Sequence, residues 1–389
     1  MYDNIYPRLR FWILMEISLI AGFSQGMLLP VTAILFEQAG IPSSINGLHA
    51  TGVYIGILFA TPFMEGLLRK FGYRNILLQG SLFIVLPLAF FPLWKSLIFW
   101  FILRLFIGVG ICMLQFGAQT WITSISPANK RGRNIALFGL SFGLGFGIGP
   151  MMTRFLEVNE TLPFFLTAGI GLLACLTIFL LKNEQPEQAA QRGSFFSTFK
   201  RLGQAWKYAW VAFLFPFTYG FLEASLNGNF PVYALNIGID VSSVAIILPA
   251  FAIGSIVFQL PLGLMSDRFE RRKVLMSVMF SGFACFTLAG IIQESVIGLI
   301  VCFFAAGMFV GSTYSLGVSY MVDLTPKTLL PTGNMLCSLL FSVGSISGPF
   351  IEGFSLQYID GINFFYTISL ILLCVFTALF FFKKKESGQ

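Results

Sequence analysis

Apolar and polar positions alternate along this chain in long blocks. Twelve apolar segments run approximately over 10–36, 45–68, 75–94, 96–124, 134–156, 162–181, 208–235, 241–266, 273–292, 296–323, 331–356 and 362–382. A spanning helix uses roughly 20 apolar residues, so the pattern predicts an all-α membrane protein with twelve transmembrane helices. One long polar interruption, 182–207, splits the spans into two sets of six: residues 1–181, a linker over 182–207, and residues 208–389. Within the linker, Phe195 to Trp206 mixes aromatics with Lys200 and Arg201. That mixture suits either an amphipathic stretch lying on the membrane surface or a solvated connector. The first apolar run is too long for the core of a signal peptide and is read as the first span.

Composition narrows the function classes. The 389 residues are 56% hydrophobic, 16% aromatic and 11% charged, with a mean hydropathy of +0.82. Soluble proteins carry about 25% charged residues, so a soluble enzyme, a nucleic-acid-binding module and a disordered chain are all excluded. The net charge of +7 is mostly a topology signal. With both termini on one side, 21 of the 24 Lys and Arg residues fall in the loops and tails of that side. By the positive-inside rule that side is the cytoplasm. The expectation is a multi-pass protein of the cell membrane with cytoplasmic termini and no nucleic-acid partner. The six cysteines all lie inside apolar runs without a CxxC pair; they read as packing residues, with no metal site and no cofactor implied. His49 is the only histidine, which leaves no nucleophile–His–acid set and argues against an enzyme.

The two halves repeat each other at an offset near 200 residues. Pro30-Val31 matches Pro231-Val232, Gly108 matches Gly307, Pro127 matches Pro326, Asn134 matches Asn334, and Gly149-Pro150 matches Gly348-Pro349. Two parallel six-helix halves point to a pathway between them.

Several local patterns carry a family resemblance. The loop Gly263 to Arg272, GLMSDRFERR, resembles the signature G-x-L-x-D-R-x-G-R-R, with Glu270 where a second glycine is usual. The corresponding first-half loop, EGLLRKFGYRN, keeps Gly72 and Arg74 but has Arg69 at the aspartate position. Arg104 with Gly108 is similar to the span-4 R-x-x-x-G signature. GFGIGPMMTR resembles the span-5 G-x-x-x-G-P-x-x-G-G signature of exporters through Gly145, Gly149 and Pro150, with Thr153 and Arg154 replacing its last glycines. Over its whole length the chain resembles the major facilitator superfamily. ILMEISL, GLLRKFG and KRGR are similar to bacterial drug-efflux-like members and to the flippase of the lipoteichoic-acid glycolipid anchor. The resemblance implies two six-helix bundles, alternating access, and a cytoplasmic gate holding the halves together in the outward-open state.

Ionisable residues inside a membrane are costly and mark function by default. Three stand out. Glu223 lies mid-way along span 7, with Tyr219 and Asn227 at i−4 and i+4 on the same helix face. Apolar surroundings favour a neutral carboxyl that can exchange a proton near neutral pH, although a hydrogen-bonded structural acid fits the same position. Arg104 shares a face with Gly108, Gln115 and Gln119. It needs an anionic or carbonyl partner, either in an ion pair between helices or, as the resemblance implies, beside a carboxylate used in proton coupling. Glu16 sits about two turns into span 1, where it lines the pathway or snorkels to the interface. Gln25 lies on another face of span 1, in a heptad stripe with Ser18 and Thr32. His49, near the outer end of span 2, suits proton exchange or an interfacial position.

The expected gate comprises Asp267, Arg268 and Arg271 in the second half and Arg69, Gly72 and Arg133 in the first. Asp267 could pair with Arg131 or Arg133. The reversed sign at Arg69 predicts a pairing with Asp323 at the end of span 10. For hinge and packing positions the glycine-rich spans offer Gly145, Gly149 and Pro150, then Gly348 and Pro349. Gly139, Gly143 and Gly147 form a small-residue stripe at four-residue spacing that would let helices approach and slide.

These features predict a secondary transporter exporting amphipathic small molecules in exchange for protons, as a monomer among membrane lipids. A lipid or glycolipid flippase on the same fold is the alternative. A nutrient importer would need a denser set of polar groups in the core.

Overall fold

The computed structural model describes residues 2–127, 131–186, 195–326, 329–359 and 363–382, with backbone only for residues 2–6, 131, 132, 136, 195–200, 267 and 331. The described residues are almost entirely helical. The first half holds α1 (Tyr2–Gln38), α2 (Ser43–Ala60), α3 (Met64–Phe71), α4 (Tyr73–Phe90), α5 (Leu97–Ile125), α6 (Arg131–Ile148) and α7 (Leu162–Ile178). The second holds α8 (Phe195–Gly228), α9 (Phe230–Asn236), α10 (Val241–Arg268), α11 (Arg271–Ile291), α12 (Val296–Val310), α13 (Thr313–Leu324), α14 (Leu330–Tyr358) and α15 (Phe364–Phe381). Among the described residues eleven segments are long and apolar enough to cross a membrane, and α7 is a shorter apolar helix. At about 1.5 Å per residue the 17 residues of α7 reach about 26 Å, a little under the ~30 Å hydrocarbon core. Twelve apolar crossings therefore agree with the sequence pattern. Many large apolar side chains stay exposed, among them Leu93, Ile98, Leu173, Leu260 and Ile297, as expected for a lipid-facing surface and rare on a soluble one.

The chain forms two compact units. One is Met1–Ile41, Leu48–Gln188 and Asp240–Pro249; the other is Pro42–Gly47, Ala189–Ile239 and Ala250–Gln389. The first turns of α2 and α10 thus group with residues of the opposite half.

Inside each unit the same backbone-to-backbone contacts recur at an offset of 198 or 199 residues. A Cβ on Gly22 would overlap the Phe142 carbonyl, and one on Gly220 the Phe341 carbonyl. Gly145 meets the Leu19 carbonyl as Gly344 meets that of Phe217. Gly108 meets the Val53 carbonyl as Gly307 meets that of Phe251. Glycine permits this approach because any side chain would collide with a carbonyl. An added Cβ on Gly149 would stand 2.5 Å from the Gly26 carbonyl carbon, and one on Gly348 2.6 Å from the Phe221 oxygen, so both extend the same two seams. The Gly139–Gly143 stripe is different. A Cβ there would meet nothing within 4 Å, so the expected sliding face is not where α6 packs. The packed face lies two residues further on, at Gly145 and Gly149.

The prolines of the repeat act unequally. Pro150 stands in a nine-residue 3₁₀ segment, Gly149–Glu157, whereas Pro349 sits inside the continuous α14. Pro30 lies within unbroken α1, whereas Pro231 follows a break between Gly228 and Phe230. Met27-Leu28-Leu29 precede the first proline and Gly228-Asn229-Phe230 the second. Leu and Met are strong helix formers while Gly and Asn are weak ones, which accounts for the break. α8 also bends at Ala209, which has non-helical angles (φ −134°, ψ 25°), separating the aromatic–basic stretch from span 7.

Candidate transport site

In the first unit the heptad stripe of α1 meets the polar stripe of α5. Gln115 Nε2 lies 3.5 Å from Ser18 Oγ, and Arg104 Nη2 donates to Thr32 Oγ1. Arg104 is fully buried, and its Nε and Nη1 have no hydrogen-bond partner. Its guanidinium carbon lies 5.8 Å from the centre of the Phe36 ring. Among the described residues neither expected kind of partner, carboxylate or carbonyl, meets it; a neutral hydroxyl and an aromatic ring take their place. His49 is likewise buried rather than interfacial. Its ring sits edge-on to Phe36 (4.9 Å) and Phe101 (5.5 Å), with Nδ1 unpartnered. Phe36 therefore bridges a buried guanidinium and a buried imidazole.

Gln25 is buried on α1 in the same stripe as Ser18 and Thr32. The matching contacts of Gly22 and Gly220 put Gln25 in the register position that Glu223 occupies in the other unit. Glu16 is placed elsewhere: half-buried, it accepts a 3.2 Å hydrogen bond from Thr177 on α7. The structure thus brings Arg104, Gln115, Ser18 and Thr32 together and leaves Glu16 apart from them.

In the second unit Glu223 is 8% exposed on α8. The helical face holds: Asn227 Nδ2 donates to the Glu223 backbone oxygen at 2.8 Å. The Tyr219 ring packs 6.4 Å from Tyr314 and 6.1 Å from Phe341. Among the described residues no ion pair or hydrogen bond reaches the Glu223 carboxylate, and no cation faces it. Glu223 is thus a nearly enclosed acid on a helix face whose other members are an amide and an aromatic ring packed among aromatics.

At the basic ends of the helices Arg69 and Arg271 each have a partner within their own unit. Arg69 bonds Glu65 one turn earlier at 2.6 Å. Arg271 bonds the Ser319 carbonyl at 2.7 Å and Asp323 at 3.3 Å. Arg133 and Arg268 are exposed. The side chains of Asp267 and Arg131 lie outside the described residues, as do Lys130 and Arg192. Gly72 has φ +79°, a conformation that favours glycine, and a Cβ there would stand 2.5 Å from Asn183 Oδ1. Asn183 in turn binds the Phe71 carbonyl (2.9 Å) and the Arg74 amide (3.1 Å). Glu184 next to it takes Arg10 at 2.5 Å and Trp121 Nε1 at 2.9 Å. The first residues of the polar interruption are therefore bound into the first unit.

A fourth buried charge-bearing group was absent from the sequence reading. Glu352 on α14 is 0% exposed, and neither of its carboxylate oxygens has a partner. The signal was available: a lone acid inside the apolar run 331–356.

Paired helical bundles built on one repeated scaffold, each burying isolated ionisable groups within membrane-crossing helices, define a polytopic transporter. Comparison with known proteins agrees. The sequence profile of the Major Facilitator Superfamily matches residues 14–236 and 212–389, and the chain belongs to that family. It is 51% identical over 380 residues, 97% of each chain, to the uncharacterized MFS-type transporter YfkF of Bacillus subtilis (strain 168). It is 26% identical over 388 residues, 94% of each chain, to Multidrug resistance protein 1 of the same organism. Among solved structures, the nucleoside transporter NupG has a TM-score of 0.78 at 15% identity, covering 96% of this chain and all of that one. That last likeness shows the fold alone.

Proposed function

We propose that this protein is a proton-coupled exporter of amphipathic small molecules, working by alternating access at the cell membrane with both termini in the cytoplasm. The observation that carries the reading is Glu223: a buried carboxyl on the α8 face that also carries Tyr219 and Asn227, with the Tyr219 ring packed against Tyr314 and Phe341. Such an acid exchanges a proton rather than holding a permanent charge, because ionising it without a partner is strongly opposed. Aromatic rings provide apolar, shape-tolerant contact for an amphipathic molecule. Arg104 supplies the complementary element, a fixed positive charge with two unsatisfied nitrogens available to an anionic or carbonyl group of the cargo. The likeness to a multidrug resistance protein supports export of such molecules.

Purified protein in liposomes tests the reading. Imposing a pH gradient should drive flux of a lipophilic fluorescent cation or zwitterion, and Glu223→Gln should abolish the dependence on the gradient. Flux that ignores the gradient, or coupling that survives Glu223→Gln, overturns it. Translocation of a labelled glycolipid in place of the dye would move the assignment to the flippase.

A further inference from the structure

The strongest unexplained feature is the surroundings of Glu352. It lies on the face of α14 that packs on α8. One turn earlier, Gly348 comes within 2.6 Å of Ser225 Oγ; one residue later, Gly353 comes within 3.2 Å of Asn229 Nδ2, for an added Cβ in each case. Glu352 thus stands level with the stretch from Ser225 to Asn229, where α8 breaks before α9. The segment 42–47, part of the same compact unit, closes the group. Gly47 abuts the Pro349 carbonyl, and Gly353 comes within 2.5 Å of the Ser43 carbonyl.

The hydrogen-bonding inventory of this group is one-sided. Asn229 donates Nδ2 to the Pro349 carbonyl (3.2 Å), and Asn46 donates Nδ2 to the Gly228 carbonyl (2.7 Å). Both amides have therefore spent a donor on backbone, and their Oδ1 atoms are buried without a partner. Ser225 Oγ and both Glu352 oxygens are unpartnered as well. The donors left in the group, the second N–H of each amide and the Ser225 hydroxyl, make no hydrogen bond to a Glu352 oxygen, so an ionised carboxylate would stand buried and unpartnered. Protonating it converts one acceptor into a donor that an amide oxygen can receive.

Among the described residues charged neighbours offer no other solution: α13 and α15, which also pack on α14, carry Tyr314, Tyr320, Asp323, Tyr366 and Cys374 but no Lys, Arg or His. On α8 the nearest titratable group is Glu223, itself an acid. On α9 it is Tyr233, whose hydroxyl is given to Gln293. Segment 42–47 has none, and α14 contains no Lys, Arg or His. His49, further along α2, faces Phe36 and Phe101.

We propose that Glu352 is a proton-binding site: a neutral carboxylic acid that latches the α8–α9 break and segment 42–47 onto α14, and that gives up its proton only when this contact opens. On release the O–H bond breaks, the proton passes to water entering the opened face, and the carboxylate is hydrated. Reclosure requires the proton back, because in the closed group neither a donor nor a cation reaches the carboxylate oxygens. The inference stands on its own and holds whether or not Glu223 couples transport to protons.

Infrared difference spectroscopy on the full chain in lipid nanodiscs tests it. At neutral pH the wild type should show the C=O stretch of a buried protonated carboxylic acid. Glu352→Gln should lose that band, Glu352→Asp should shift it, and Glu223→Gln should retain it. Glu352→Gln, which mimics the neutral acid, should match the wild-type thermal stability at neutral pH. At alkaline pH the wild type should weaken more than the variant, since the group favours the closed fold only while protonated. Absence of the band, its persistence unchanged in both Glu352 variants, or its loss when sodium replaces choline overturns the proposal. The sodium result would assign the site to a metal cation instead.

Discussion

The two units share a scaffold and differ in what they bury. Their helix seams repeat contact for contact, Gly145 on Leu19 and Gly344 on Phe217. The ionisable groups they enclose differ in kind. The first unit encloses Arg104 and His49; the second encloses Glu223 and Glu352. Where the second unit has Glu223 the first has Gln25, and where it has Glu352 the first has Thr153, whose hydroxyl is satisfied by the Pro150 carbonyl at 2.8 Å. A shared backbone therefore carries different side-chain chemistry in its two copies. Arg104 and Glu352 keep buried polar atoms without a partner. Those unsatisfied groups are the natural candidates for moving parts, since a purely structural role would select a completed bond.

The largest expected effect tests whether the scaffolds are equivalent. Gly145→Leu and Gly344→Leu should each cost more than about 3 kcal/mol and eliminate monodisperse protein on size-exclusion chromatography, while Gly139→Leu should not. Tolerance at only one of the two seams would show that the repeat is unequal in load. Next, Arg104→Met should bring liposomal flux to background while leaving the unfolding temperature unchanged or higher, because it removes an uncompensated buried charge. Persistent flux would remove the first unit's charge from the transport cycle. At the break that only the second unit has, Asn229→Leu should lower stability by about 1–3 kcal/mol through the stranded Pro349 carbonyl, measured by thermal unfolding. A negligible change would mean that the break is held by packing alone. The smallest contrast is at the basic ends: Arg271→Ala should cost about 1 kcal/mol through its carbonyl and carboxylate bonds, and Arg69→Ala under about 0.5 kcal/mol, as for an exposed i,i+4 pair.

Much of this architecture was legible from residue order alone. The spans follow from apolar run length, and the halves from the Gly-Pro, Gly and Asn matches. The shared face of Tyr219, Glu223 and Asn227 follows from helical periodicity. What failed concerned partners. Whether Arg104 meets a carboxylate or a hydroxyl depends on which α1 stripe faces α5, and periodicity does not choose between the Glu16 face and the Ser18–Gln25–Thr32 face. Nor does charge alone reveal the partners seen within each unit, Glu65 for Arg69 and Arg271 for Asp323. Gly139 and Gly143 have the right spacing for a close-packed stripe, but spacing cannot tell a packed face from an open one. Glu352 was visible to the same criterion that selects Glu223. α14 continues beyond it to Tyr358, so the acid stands inside a spanning helix.

The glycine seams have a mechanical consequence. Where two backbones touch directly, no side chain lies between them to change rotamer, so α1 with α6 and α8 with α14 behave as stiff double struts. Bending strain then concentrates where these struts are interrupted: at the 3₁₀ segment Gly149–Glu157 that follows α6, at Ala209, where α8 turns into its span, and at Gly228–Asn229, where it ends. The two struts therefore yield at different points, the first at the end of α6 and the second on both sides of the span in α8.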